Sequence, residues 1–89
     1  MKKYEEISVS EMLELKSDEY VVIDIRDEIA FAYGAINGAV NIPQNRLEEK
    51  LDTLPNDKLL IICCKSGIIS DPIAESLREH GFNAANLKE

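Results

Sequence analysis

The run Leu59-Leu60-Ile61-Ile62-Cys63 constrains this chain more than any other stretch. Five consecutive apolar residues fit a strand buried on both faces. Such a strand needs cover on each side, which points to a parallel sheet between layers of helix. The residues that follow add chemistry to the architecture. Cys64-Lys65-Ser66-Gly67-Ile68-Ile69-Ser70-Asp71-Pro72 reads as a tight loop and then the first turn of a helix. A thiol at that place sits among backbone N–H groups and at the positive end of a helix dipole, and both favour thiolate over thiol. Ligands of open α/β sheets bind at the carboxyl ends of strands, which is where Cys64 falls.

Strand and helix signals alternate along the rest of the chain. Ser8-Val9-Ser10-Glu11 has the form of a capping box, so a short amphipathic helix is expected over residues 8–16. Tyr20 to Ile25 is continuous and β-branched, as a buried strand requires. A short helix over 28–33, a turn at Asn37-Gly38 and a second short strand from Ala39 to Ile42 follow. Pro43 suits the first position of a further helix, with Leu47, Leu51 and Leu54 as its apolar stripe. The last helix is expected to open with Ser70 or Asp71 as N-cap and to stop at Gly81, before a final strand within Phe82 to Leu87. The fold class is therefore α/β: a mainly parallel sheet of four to five short strands with helices on both faces.

The chain has 89 residues, enough for one domain and not two. Its net charge of −7 repels nucleic acid and anionic lipid, so neither is an expected partner. No segment approaches the ~20 apolar residues of a membrane span. The start, Met1 to Glu6, lacks the apolar core of a signal peptide, which points to the cytoplasm. The two cysteines, Cys63 and Cys64, are adjacent, a poor basis for a structural disulfide. They read as reduced thiols. One histidine beside two adjacent cysteines makes a poor metal site, and no metal or cofactor is expected.

Two stretches together resemble the rhodanese-like domain family. One is Val22-Ile23-Asp24-Ile25-Arg26, then Phe31, then Gly34-Ala35-Ile36-Asn37-Gly38-Ala39-Val40-Asn41-Ile42-Pro43. It is similar to the family's D-V-R strand end, E-F pair, G-H-I-x-G-A and N-I-P. The other is Cys64 to Ser70, similar to the C-x-S-G-x-R-S loop. The resemblance covers residues 4–87, read as one domain, and the two motifs at this separation are far more specific than either alone.

The resemblance implies a sulfurtransferase in which Cys64 attacks a sulfane sulfur, becomes a persulfide and passes the outer sulfur on. The partners implied are a small sulfur donor such as thiosulfate and a thiol or cyanide acceptor. Lys65, Ser66, Gly67, Ile68, Ile69 and Ser70 match the loop that cradles the substrate anion. Asp24 and Arg26 match residues that hold the structure near the site. The loop is one residue shorter than in phosphatases of this fold, which disfavours phosphate chemistry. Three polar positions of the pattern are apolar here: the loop arginine is Ile69, the histidine of G-H-I is Ala35, and the glutamate of E-F is Ala30. Losing the arginine removes a fixed cation with several donors. Asp71 adds a carboxylate that competes for the same amides.

Two alternatives to an active sulfurtransferase therefore stand: a catalytically inactive binding or regulatory module that engages a partner protein, and a thiol redox sensor using Cys63 and Cys64. Cys63 is expected to pack on the opposite side of the strand from Cys64. His80 falls at the far end of the last helix, roughly 14 Å from its start, too far for a Cys-His dyad. Asp27, Glu28, Glu48, Glu49 and Lys50 read as solvated surface charges. The family pattern continues past the position of Leu87 with a Gly-Gly turn and a further helix. Without them a rearranged terminus or an apolar patch that promotes self-association is expected.

Overall fold

The computed structural model describes residues 3–88 as a five-stranded, wholly parallel sheet. The strands are β1 (Glu6–Ser8), β2 (Tyr20–Asp24), β3 (Val40–Asn41), β4 (Leu59–Cys63) and β5 (Ala84–Lys88), in the order β1-β5-β4-β2-β3. The apolar run is β4, the middle strand, and all five of its residues are buried. Its pairing with β2 sets Asp24 beside Cys63, and its pairing with β5 sets Ile62 beside Asn86.

Alternation along β4 divides the core in two, as the strand period requires. Leu60 and Ile62 join Ile23, Ile25, Leu47, Ala74 and Leu77 on the face covered by helix α3 (Ser70–Glu79). Leu59, Ile61 and Cys63 join Ile7, Met12, Val22 and Leu87 on the face covered by helix α1 (Val9–Leu13). Helix α2 (Glu28–Tyr33) connects β2 to β3 and keeps most of its surface in solvent, with Ile29 and Tyr33 exposed.

Helix α1 opens on the anticipated capping box: Ser8 Oγ accepts from Glu11 N–H at 3.1 Å and Glu11 Oε1 from Ser8 N–H at 2.9 Å. It ends at Leu13, three residues short of the expected end, because Ser17-Asp18 must turn the chain into β2. Asp27 is not merely a solvated charge, since its carboxylate caps α2 by accepting from Ala30 N–H at 2.8 Å. The segment after Pro43 is two 3₁₀ turns, Gln44–Arg46 and Glu48–Thr53, in place of one α-helix. Its amides bond three residues back, as in Lys50 N–H to Leu47 O at 3.0 Å, which still turns Leu47, Leu51 and Leu54 onto the α3-side core.

Strand β1 was not expected from the sequence. Three residues show no period, yet Ile7 is fully buried and the strand pairs with β5. Gly81 is the anticipated stop after α3, with a φ of 95°. His80 Nδ1 donates to Ser76 O at 2.8 Å, so the ring closes the C-terminal turn of α3, at the other end of that helix from Cys64.

Burying one Leu or Ile side chain contributes roughly 1.5–3 kcal/mol. The four aliphatic residues of β4 therefore supply a gross term comparable to the whole net stability of a domain. Ile62→Ala should cost about 3 kcal/mol, read as a lower urea midpoint with unchanged slope. Ile68→Ala, 74% exposed on the loop after β4, should leave the midpoint unmoved.

Candidate active site

Strand β4 ends at Cys63, and the chain turns within six residues into α3. Gly67 makes that turn with a φ of 80°, the left-handed region that glycine enters without a side-chain penalty. The turn brings two main-chain donors onto the Cys64 sulfur. Gly67 N–H lies 3.2 Å and Ser70 N–H 3.4 Å from Sγ. The Ser70 hydroxyl is 3.3 Å from the same sulfur.

Helix α3 begins at Ser70 with Ile69 in the N-cap position, so neither Ser70 nor Asp71 is the cap. Ile69 offers no side-chain acceptor. The acceptor that a cap residue would supply comes from Cys64: its sulfur takes the N–H of the first helical residue. Ser70 is already the first helical residue, and its hydroxyl donates to Asn86 Oδ1 on β5. Asn86 in turn donates from Nδ2 to Gly67 O at 3.3 Å.

The Cys64 thiol is half-buried while Cys63 is buried, and neither is in a disulfide. Partial burial pushes the Cys64 thiol up. Hydrogen bonds from the Ser70 side chain and from the amides of Ser70, Ser66 and Gly67 pull it down, and the net shift is downward. The thiolate fraction near neutral pH is therefore larger than for an ordinary cysteine.

The pocket facing this sulfur is lined by Asp24, Arg26, Gly34, Ala35, Ile36, Cys63, Cys64, Gly67 and Leu87. Arg26 is the one cation among these, and it is committed. Its Nε lies 3.0 Å from both Asp24 oxygens, its Nη2 donates to Asp24 Oδ2 at 2.7 Å and to Gly34 O at 2.7 Å. Asp24 also accepts from the Arg26 amide at 3.0 Å. The pair thus ties the end of β2 to the turn after α2. Asn41, a residue of the N-I-P stretch, completes the tie by donating to the carbonyls of Asp24 and Arg26 at 3.0 and 2.9 Å.

Of the loop residues, Gly67 lines the pocket, and Ser70 reaches the sulfur from below, fully buried. Ser66 Oγ is 3.4 Å from Ile68 N–H, so that amide braces the loop and does not point at the sulfur. Lys65 is exposed. Ile68 and Ile69 are 74% and 49% exposed, and neither fills the space before the sulfur. Among the described residues no group of three or more His, Cys, Asp or Glu is placed to hold a metal ion, and no helix is long and apolar enough to cross a membrane.

Asn86 was missed in the sequence. Its signal is a single polar residue inside the otherwise apolar, buried run Ala84 to Leu87. A buried amide on a core strand needs partners, and these are the loop and Ser70.

Removing the Ser70 hydroxyl takes away one donor to the thiolate while the amides stay. Ser70→Ala should therefore move the pH–rate profile of Cys64 alkylation to higher pH and slow alkylation at neutral pH severalfold. An unchanged profile would mean that the main-chain donors alone set the ionisation.

The rhodanese-like domain model matches residues 8–89. The thiosulfate sulfurtransferase GlpE of Ectopseudomonas mendocina is 34% identical over 83 residues, which are 93% of this chain and 76% of that protein. GlpE of Shewanella oneidensis is 31% identical over 84 residues, 93% of this chain and 83% of that protein. The crystal structure of a rhodanese-related protein from Thermoplasma volcanium superposes with a TM-score of 0.86 at 29% identity, covering 96% of this chain and 84% of that one. The strand-to-helix loop with its capped sulfur, the parallel sheet and these likenesses agree: the chain belongs to the rhodanese-like domain family.

Proposed function

We propose that this chain is a sulfurtransferase domain, spanning residues 4–87, that carries sulfane sulfur as a persulfide on Cys64. The observation that supports this most is the approach of Gly67 N–H and Ser70 N–H to the Cys64 sulfur. The Cys64 thiolate attacks the sulfane sulfur of the donor. A new S–S bond forms, the donor's own bond to that sulfur breaks, and the electron pair leaves with the donor remnant as sulfite or a thiolate. An acceptor thiolate or cyanide then attacks the outer sulfur, and Cys64 leaves as thiolate. The resting thiolate and the persulfide are both anions, so fixed N–H donors serve each without rearrangement. No metal or cofactor takes part in these steps. Asp24, Arg26 and Asn41 hold the pocket wall and take no part in bond making.

The donor is the point where this chain departs from the family pattern. Thiosulfate is a dianion, and the fork that would hold it is replaced by Ile69, while Arg26 is occupied by Asp24 and Gly34. A small persulfide donor carries less charge and fits this site better. The protein should become one sulfur atom heavier on incubation with a persulfide donor, as read by intact mass. Cys64→Ser should abolish that gain and Cys63→Ser should keep it. Ile69→Arg should raise the rate with thiosulfate by about tenfold or more, the worth of one charged contact to an oxyanion. No mass gain from either donor would overturn the proposal.

Exposed Ile68 and Ile69 favour a second reading, in which the same rim binds a partner protein and the cysteine is silent. That reading predicts partner binding that survives Cys64→Ser and no sulfur loading at all. Two adjacent cysteines, a poor basis for a structural disulfide, suit a reducing compartment such as the cytoplasm.

A further inference from the structure

The Asn86 amide lies between the loop and the Ser70 hydroxyl, and its orientation is forced. Gly67 O can only accept, so the Asn86 nitrogen faces it, at 3.3 Å. Asn86 Oδ1 therefore faces Ser70 Oγ, and because it too can only accept, the single hydroxyl proton of Ser70 points to Asn86. The lone pairs of Ser70 Oγ are then left for the Cys64 S–H, 3.3 Å away. Three groups from β4's end, α3 and β5 form one directed chain, S–H to Oγ–H to Oδ1. Ser70 and Asn86 are both buried, at 0% and 5% exposure, so water does not substitute for either partner.

We propose that Asn86 is a positioning residue that draws the Ser70 hydroxyl proton away from the sulfur in the thiol state and yields it when Cys64 ionises. When the thiol proton passes to solvent, the sulfur becomes an acceptor only. Oγ and the sulfur would then face each other lone pair to lone pair. Rotation about the Ser70 C–O bond gives the proton to the sulfur and leaves Asn86 Oδ1 with one donor fewer. One hydroxyl proton thus serves two acceptors in turn, and Asn86 competes with the thiolate for it. The other charged or titratable groups around the sulfur do not enter the chain. Asp24 and Arg26 bond each other in the pocket wall, Cys63 lies on the α1 side of the sheet, and Lys65 and Asp71 are exposed.

The inference rests on Cys64 being the reacting sulfur, but its tests follow ionisation and not sulfur transfer, so the two proposals fail separately. In the ¹⁵N-labelled wild-type protein, the Asn86 side-chain amide resonances should titrate with the same midpoint as Cys64. Fixed Asn86 resonances, while the Gly67 and Ser70 backbone amides move, would overturn the proposal without any variant. In the second test, Cys64 alkylation at neutral pH is compared with and without Asn86→Leu, in the wild-type and the Ser70→Ala backgrounds. The rate ratio should be about threefold larger where the Ser70 hydroxyl is present, since only there is a proton released to the thiolate. Equal ratios in both backgrounds would mean that Asn86 acts only as a loop tether, and the proposal would fall.

Discussion

The mutual satisfaction of the Cys64 sulfur and the start of α3 is the interaction on which the site depends. A helix begins with N–H groups that lack partners, and a desolvated thiolate lacks donors. Here each supplies the other. Ile69 brings no capping oxygen, and the sulfur takes its place by accepting from Ser70 N–H. A hydrogen bond to a charged group is worth about 1.5–3 kcal/mol, against about 1 kcal/mol for an ordinary cap. The exchange therefore favours the anion. The cost falls on the loop, which must hold Gly67 in a left-handed conformation to bring the second amide into range.

Strand β4 makes that exchange repeatable. It is buried along its whole length and flanked by β2 and β5, so the atom that follows it has a fixed origin. The two sides of the pocket are fixed by separate polar ties. Asp24, Arg26 and Asn41 bind the end of β2 to the turn after α2, and Asn86 binds β5 to the loop. Every buried polar side-chain atom among the described residues has a partner, which is how a polar site is kept in so small a core.

Much of this was legible in the chain. A continuous apolar run announces a central parallel strand, and C-K-S-G at its end announces a strand-to-helix loop. The capping box at Ser8 and the stop at Gly81 are local signals, and local signals survive tertiary packing. What stayed hidden depends on contacts distant in sequence. Strand β1 is too short to show a period and exists because β5 offers it an edge. The helix after Pro43 dissolves into 3₁₀ turns that keep its leucines inward without keeping its hydrogen bonds. The N-cap of α3 could not be read from Ser70 or Asp71, because the acceptor is a sulfur six residues away. The role of Asn86 was hidden for the same reason, being set by residues 16 and 19 positions earlier. The consequence of Ile69, by contrast, was visible at once, and the structure adds that Arg26 is already committed to Asp24.

The central claim is that main-chain donors shift Cys64 toward the thiolate, and the ultraviolet absorbance of that thiolate tests this most directly. The difference spectrum between the wild-type protein and Cys64→Ser, followed across pH, isolates this one sulfur. The account predicts a midpoint below that of the same thiol in the urea-unfolded chain. A midpoint at or above the unfolded value would contradict it, since burial would then outweigh every donor that the loop and α3 provide.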